Sequence, residues 1–146
     1  MDRSIRDRYG DPGRIVSVRD ATGHSIALQD GDWIYRTGDG ASPRGNLPFL
    51  DRQNLKTLET ERLWRCAEGT YEQCVGMASS SPDRKPVIIT RREDPTTPPN
   101  YLLRDLNDDT SSQLTDFQDP TPAIRGIKKQ LVNYERADGV PLSATL

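Results

Sequence analysis

The sequence is short of the residues from which catalytic and metal sites are usually built. One histidine and two cysteines occur in 146 residues. Cys66 and Cys74 stand close together, but His24 is far from them, so a four-ligand zinc site lacks donors. Two thiols of this kind suit a reducing compartment and partial burial. No apolar run of about 18 residues is present, which excludes a membrane-spanning helix. The first residues, Met1-Asp-Arg-Ser-Ile-Arg-Asp-Arg, are charged and lack the apolar core of a signal peptide, predicting a cytoplasmic location. Charge of one sign is missing too. A net charge of -2 and a pI near 5.4 leave no basic stripe for nucleic acid. Apolar residues are sparse: 33% hydrophobic against 29% charged, with a mean hydropathy of -0.78. Leu, Ile, Val and Phe make up about a fifth of the chain, near the composition at which high net charge would prevent folding. With little net charge, the expectation is a marginal, polar, β-rich segment of one domain's length.

What is present is a series of short strand-like runs. Residues 14–18, 25–29, 32–36, 48–51, 61–64, 85–90, 100–104 and 113–117 are β-branched or aromatic at their centres. Gly, Pro, Asp or Ser bounds each of them. Helical turns are expected only at 67–73 and 124–129, both too short to anchor a helical fold. Ser79-Ser-Ser-Pro-Asp83 reads as an interruption between strands. Pro98-Pro99 lacks ladder donors and is expected to end pairing before Asn100. Near the C-terminus, Ala137-Asp-Gly139 joins two apolar-rich runs, a strong hairpin signal. The second run ends on Leu146, as an unfinished element would, so the chain reads as a piece of something larger.

A faint repeat runs through the middle. Asn54-Leu55 followed by Leu63 resembles Asp105-Leu106 followed by Leu114, both at an offset of 51 residues. In each copy a strand ends in Asn/Asp-Leu, a polar loop follows, and a short strand carries Leu. A period of about 40–50 residues of antiparallel strands suggests a β-propeller blade, with a sandwich fragment as the alternative.

Motifs for chemistry are weak. Gly40-Ala-Ser-Pro-Arg44 places Arg where a hydrolase nucleophile elbow needs Gly, and so reads as a loop. His24 follows Gly23 in a turn with no nucleophile set beside it. Gly38-Asp-Gly-Ala-Ser-Pro-Arg-Gly45 lacks the Gly-Lys-Ser/Thr ending of a phosphate loop. Asp105, Asn107, Asp108 and Asp109 lack the Gly and distal Glu of a calcium loop, leaving a solvated connection. Trp33, Trp64, Tyr35, Tyr101, Tyr134, Phe49 and Phe117 fall in strand-like runs and are expected to pack.

Residues 91–106, 113–117 and 134–146, in that order, closely resemble a join in the prolyl oligopeptidase family of serine peptidases. There the last blade of a β-propeller runs into an α/β-hydrolase domain. Residues 38–51 and Tyr9-Gly-Asp-Pro-Gly13 resemble the glutamyl-endopeptidase-like members. The resemblance implies an all-β partial propeller, about two C-terminal blades, over residues 1–122. It implies a linker and the first β-hairpin of a truncated peptidase catalytic domain over residues 123–146. The family's Ser, Asp and His would lie beyond the matched segment. It therefore implies no catalytic, cofactor-binding or metal residue in this chain, and no cofactor. The implied role is non-catalytic, a propeller gating peptide access in a parent that hydrolyses peptide bonds. The implied partners are peptide substrates, through the parent, and the missing hydrolase domain; nucleic acid and membrane are not expected. Arg36, Arg44, Arg91 and Arg92 are candidates, by charge alone, for selecting acidic substrates. The alternatives are a stand-alone protein- or peptide-binding β module and a non-functional remnant.

Overall fold

A computed structural model describes residues 7–124, 127 and 130–146. Among these the chain is all-β, built from several antiparallel sheets, none of them closed. The only helical piece among the described residues is a 3₁₀ turn at Pro122–Ile124. No helix among the described residues is long and apolar enough to cross a membrane.

The first sheet is centred on β5 (Trp33–Gly38). Its outer edge is composite: β1 (Arg14–Ile15) and β4 (Gln29–Asp30) each pair with one half of β5. Between them the hairpin of β2 (Ser17–Arg19) and β3 (Ser25–Ala27) is inserted. The Val16 amide bonds the Tyr35 carbonyl at 2.8 Å and the Leu28 amide bonds the Val16 carbonyl at 2.9 Å, closing the gap. Between β5 and the next long strand lies a two-rung hairpin, β6 (Ala41–Ser42) with β7 (Gly45–Asn46). It is possible because Gly40 takes φ +60, where a Cβ would collide with the Leu47 carbonyl. The sheet is completed by β8 (Phe49–Asn54) and β9 (Thr60–Arg65).

The second sheet is a plain meander of β10 (Tyr71–Ser81), β11 (Arg84–Asp94), β12 (Thr97–Asp105) and β13 (Thr110–Gln113). The hairpin of β14 (Leu131–Glu135) and β15 (Pro141–Thr145) stands apart as a third sheet, turning at Gly139 with φ +82.

The offset of 51 recurs rung by rung. Asp51↔Arg62, Arg52↔Glu61 and Gln53↔Thr60 correspond to Leu102↔Gln113, Leu103↔Ser112 and Arg104↔Ser111. The turns also match. Asn54 Oδ1 accepts the Lys56 amide and Asp105 Oδ1 accepts the Asn107 amide, each at 2.9 Å. The only described non-glycine residues with positive φ, Leu58 at 63° and Asp109 at 53°, occupy equivalent positions. The Leu55 amide donates to the Asp32 carbonyl just before β5, and the Leu106 amide to the Pro86 carbonyl in β11.

The two sheets pack face to face. Tyr35, Leu50 and Leu63 of the first meet Ile88 and Leu106 of the second. Tyr35, Leu50 and Ile88 have 0% exposure, and burying a side chain of this size contributes about 1.5–3 kcal/mol. The Tyr35 hydroxyl reaches Asp30 Oδ2 at 2.9 Å, so its polar end is satisfied inside the core. Burial, with Asp30 beside it, raises the Tyr35 pKa.

Four expectations are corrected. Residues 67–73 form no helical turn, because Gly69 at φ +82 reverses the chain into β10. Of the turn expected at 124–129, residues 125, 126, 128 and 129 lie outside the described residues. The serines expected to interrupt the sheet continue β10, whose register shifts absorb them before the turn at Pro82 and Asp83. Pro98 and Pro99 sit inside β12, where the register slips between Arg92↔Asn100 and Asp94↔Thr97 and no ladder donor is required. The run at 113–117 is displaced: the strand is the polar Thr110–Gln113, its register set by the preceding turn.

Candidate functional site

Two open grooves flank the tip of the β11–β12 hairpin. Asp94 forms that tip. Its Oδ1 accepts the amides of Thr96 and Thr97 at 2.8 and 2.9 Å and the Thr96 hydroxyl at 2.8 Å. Those bonds, led by the one from the Thr96 backbone, hold its pKa below the usual carboxylate value. One groove, of about 820 Å³, includes Arg44, Tyr71, Glu93, Pro98, Pro99 and Asp119 in its lining. Burial raises the Tyr71 pKa, with Asp39 and Glu93 adding to it. The other, of about 340 Å³, includes Arg92, Asn100, Leu102, Gln113, Phe117 and Asp119.

Asn100 shapes the smaller groove. It is 8% exposed, and its Oδ1 accepts the Phe117 amide at 2.7 Å and the Thr115 hydroxyl at 2.8 Å. Its Nδ2 donates to the carbonyls of Phe117 and Pro98 at 3.2 and 3.3 Å. One side chain thus straps the segment after β13 against the start of β12. A second buried cluster backs the sheet. The Glu72 carboxylate, 3% exposed, takes a bidentate bond from Arg104 at 2.5 and 2.9 Å and the Thr90 hydroxyl at 2.5 Å. The sequence reading missed both. Asn100 and Arg104 bound a run expected as a strand and Glu72 lies in a stretch expected as a helical turn, so no local signal marked either cluster.

The four arginines singled out by charge are not assembled. Arg44 is in the larger groove but pairs with Glu68 at 2.5 Å. Arg92 lines the smaller one. Arg91 pairs with Glu93 at 3.1 Å, and Arg36 reaches the Thr60 hydroxyl at 3.2 Å from the other sheet. Glu68, Glu93, Asp94, Asp116 and Asp119 line the grooves beside Arg44 and Arg92, so the surroundings do not favour an acidic ligand.

No acyl-transfer geometry forms around His24. At the β2–β3 tip Thr22 Oγ1 bonds Asp20 Oδ1 and meets His24 Nδ1, both at 2.7 Å. The hydroxyl therefore stands between carboxylate and imidazole. An activated nucleophile requires the imidazole in the middle. Ser42 donates to the Gly45 carbonyl at 2.8 Å and belongs to the β6–β7 turn. Cys66 is buried and Cys74 half-buried, both as free thiols. Burial pushes the Cys74 thiol up to about 11, which suppresses the reactive thiolate. Among the described residues no group of three or more His, Cys, Asp or Glu could hold a metal ion. Asp105 is engaged within its own turn by Asn107.

No family model and no solved structure matches the chain. Among curated proteins it is similar to a probable glutamyl endopeptidase, chloroplastic, of Oryza sativa subsp. japonica, 35% identical over 157 aligned positions. A protein of the same name in Arabidopsis thaliana is 32% identical over 158. Each alignment takes in 100% of this chain but only 17% and 16% of the relative. The chain thus spans about a sixth of the length of these relatives. It is related along its whole length to proteins named as peptidases. Both relatives are named as chloroplastic, whereas the charged N-terminus led to an expectation of the cytoplasm.

Proposed function

We propose that these residues act as the propeller end of a serine peptidase of the prolyl oligopeptidase family, glutamyl-endopeptidase-like in type. Residues 1–122 are blades, and residues 123–146 lead into the hydrolase domain with its first hairpin. The full-length similarity to two proteins named glutamyl endopeptidase carries this reading. The rung-by-rung repeat at 51 residues supports the blade assignment, since blades are successive copies of one antiparallel unit. The role is non-catalytic. The blades screen peptides on their way to a triad supplied outside residues 1–146, and the hydrolase domain is their partner. The grooves beside Asp94, with an aromatic ring, prolines and backbone edges, offer an extended peptide a surface to lie on.

The test uses the purified chain with a fluorophosphonate probe and a Glu-containing fluorogenic peptide. Neither labelling nor hydrolysis is expected. Labelling abolished by replacing one particular serine with alanine would overturn the non-catalytic role.

A further inference from the structure

The first strand of each repeat unit forms a free sheet edge, and the two edges differ at one place. At the offset of 51 residues, Arg36↔Asp51 corresponds to Thr90↔Leu102, and Ile34↔Gln53 to Ile88↔Arg104. Ile15 and Cys74 are therefore equivalent, as are Gln29 and Met77. In the second unit only Val75 and Gly76 lie between these positions. They exceed the facing strand by one residue, and the surplus is taken up as a bulge. In the first unit residues 16–28 lie between them and rise as the β2–β3 hairpin.

The hairpin is firmly rooted and internally braced. Val16 and Leu28 pack against the core cluster, and the Leu28 amide closes the neck on the Val16 carbonyl at 2.9 Å. Three rungs follow, Ser17↔Ala27, Val18↔Ile26 and Arg19↔Ser25. At the tip Asp20 Oδ1 accepts the amides of Thr22 and His24, each at 2.9 Å, and Arg19 donates to the Gly23 carbonyl at 3.0 Å. Every residue of β2 and β3 is exposed. At about 3.4 Å per residue the finger extends roughly 15 Å from its neck. Sheet pairing does not require it, since β10 spans the same rungs without one.

We infer that the β2–β3 hairpin is the element that limits which peptides pass the blades, a finger that slender, extended peptides clear and longer or bulkier chains do not. The inference rests on the peptidase reading. Blades stack face against face around a central channel, with the free edge of the first strand turned toward the axis. Neighbouring blades cover the faces and leave this edge open, so a hairpin grown from it projects into the channel of the complete ring. The second unit agrees with that placement. Gly76, Ala78 and the serines at 79–81 give its first strand the small side chains that convergence on an axis demands.

The test uses the intact peptidase that carries residues 1–146 and two fluorogenic substrates sharing one cleavage site, about 4 and about 30 residues long. Replacing residues 17–27 by Asn-Gly keeps the neck and closes it with a two-residue turn. For the long substrate kcat/KM should rise by about fivefold or more, while the short-substrate value stays within about twofold. The unchanged short-substrate rate also reports that the variant is folded. Ala21→Trp thickens the tip without removing any of its hydrogen bonds. It should lower the long-substrate value by about threefold or more, and it decides the matter should the shortened variant not fold. An unchanged long-to-short ratio in the folded variants would overturn the inference and leave the peptidase reading standing. No hydrolysis of either substrate by the unaltered protein would overturn both.

Discussion

In the first sheet Tyr35 and Leu50 are fully buried, whereas the matching residues of the second, Ile89 and Tyr101, remain half-exposed. The inner face of the second sheet is sealed by charge as well as by hydrocarbon. Glu72, Thr90 and Arg104 form a hydrogen-bonded network there, with the Arg104 side chain 18% exposed. The first sheet has an ion pair too, Asp51 with Arg62, but Arg62 is 43% exposed and lies over the Phe49 ring at 4.2 Å. One pairing scheme thus supports two distributions of polar and apolar groups. The ladder is set by backbone and turns, and the side chains are free to specialise.

The largest expected difference is between the two ion pairs. Glu72→Ala leaves a guanidinium without its partner in the interior and should cost about 3–5 kcal/mol. Asp51→Ala releases an arginine that can turn to water, and about 1–2 kcal/mol is expected. Urea denaturation of both variants measures this; equal losses would break the contrast. Next comes the apolar pair. Leu50→Ala should cost about 2–5 kcal/mol, and Tyr101→Ala about 1 kcal/mol.

A smaller effect separates the two turns. Leu58 and Asp109 share a left-handed backbone, but only Asp has a side chain that tolerates it. Leu58→Gly should stabilise by about 0.5–1 kcal/mol, and Asp109→Gly by less than about 0.3 kcal/mol, by thermal melts. The smallest effect is on pH. Asn54 in the first turn cannot titrate. Asp105 in the second can, and the bonds from the Asn107 side chain and amide lower its pKa. A lowered carboxylate contributes stability above its unfolded value near 3.8 and loses it as pH falls through the folded value. Acid should therefore lower the hydrogen-exchange protection factor, taken relative to the intrinsic rate at each pH, at the Asn107 amide but not at Lys56, and Asp105→Asn should abolish the difference.

The sequence was legible where turns carried it. Asp138-Gly139 marked its hairpin, and the Asn/Asp-Leu pairs marked the repeat, because backbone requirements at turns are local. β10 was not legible: its Gly76 and serines have little strand propensity, and pairing with β11 holds it extended. The polar Thr110–Gln113 was passed over for the same reason, its place fixed by β12. The grooves were half-legible. The Pro-rich tip was visible as a connection, but the strap made by Asn100 joins residues 15 and 17 positions apart and has no local signature.

The most direct test of the peptidase account is the DNA reading frame immediately 3′ of the Leu146 codon. The account predicts hydrolase-domain coding sequence with a Gly-x-Ser-x-Gly motif, in frame or one frameshift away. Unrelated sequence at that place would contradict it.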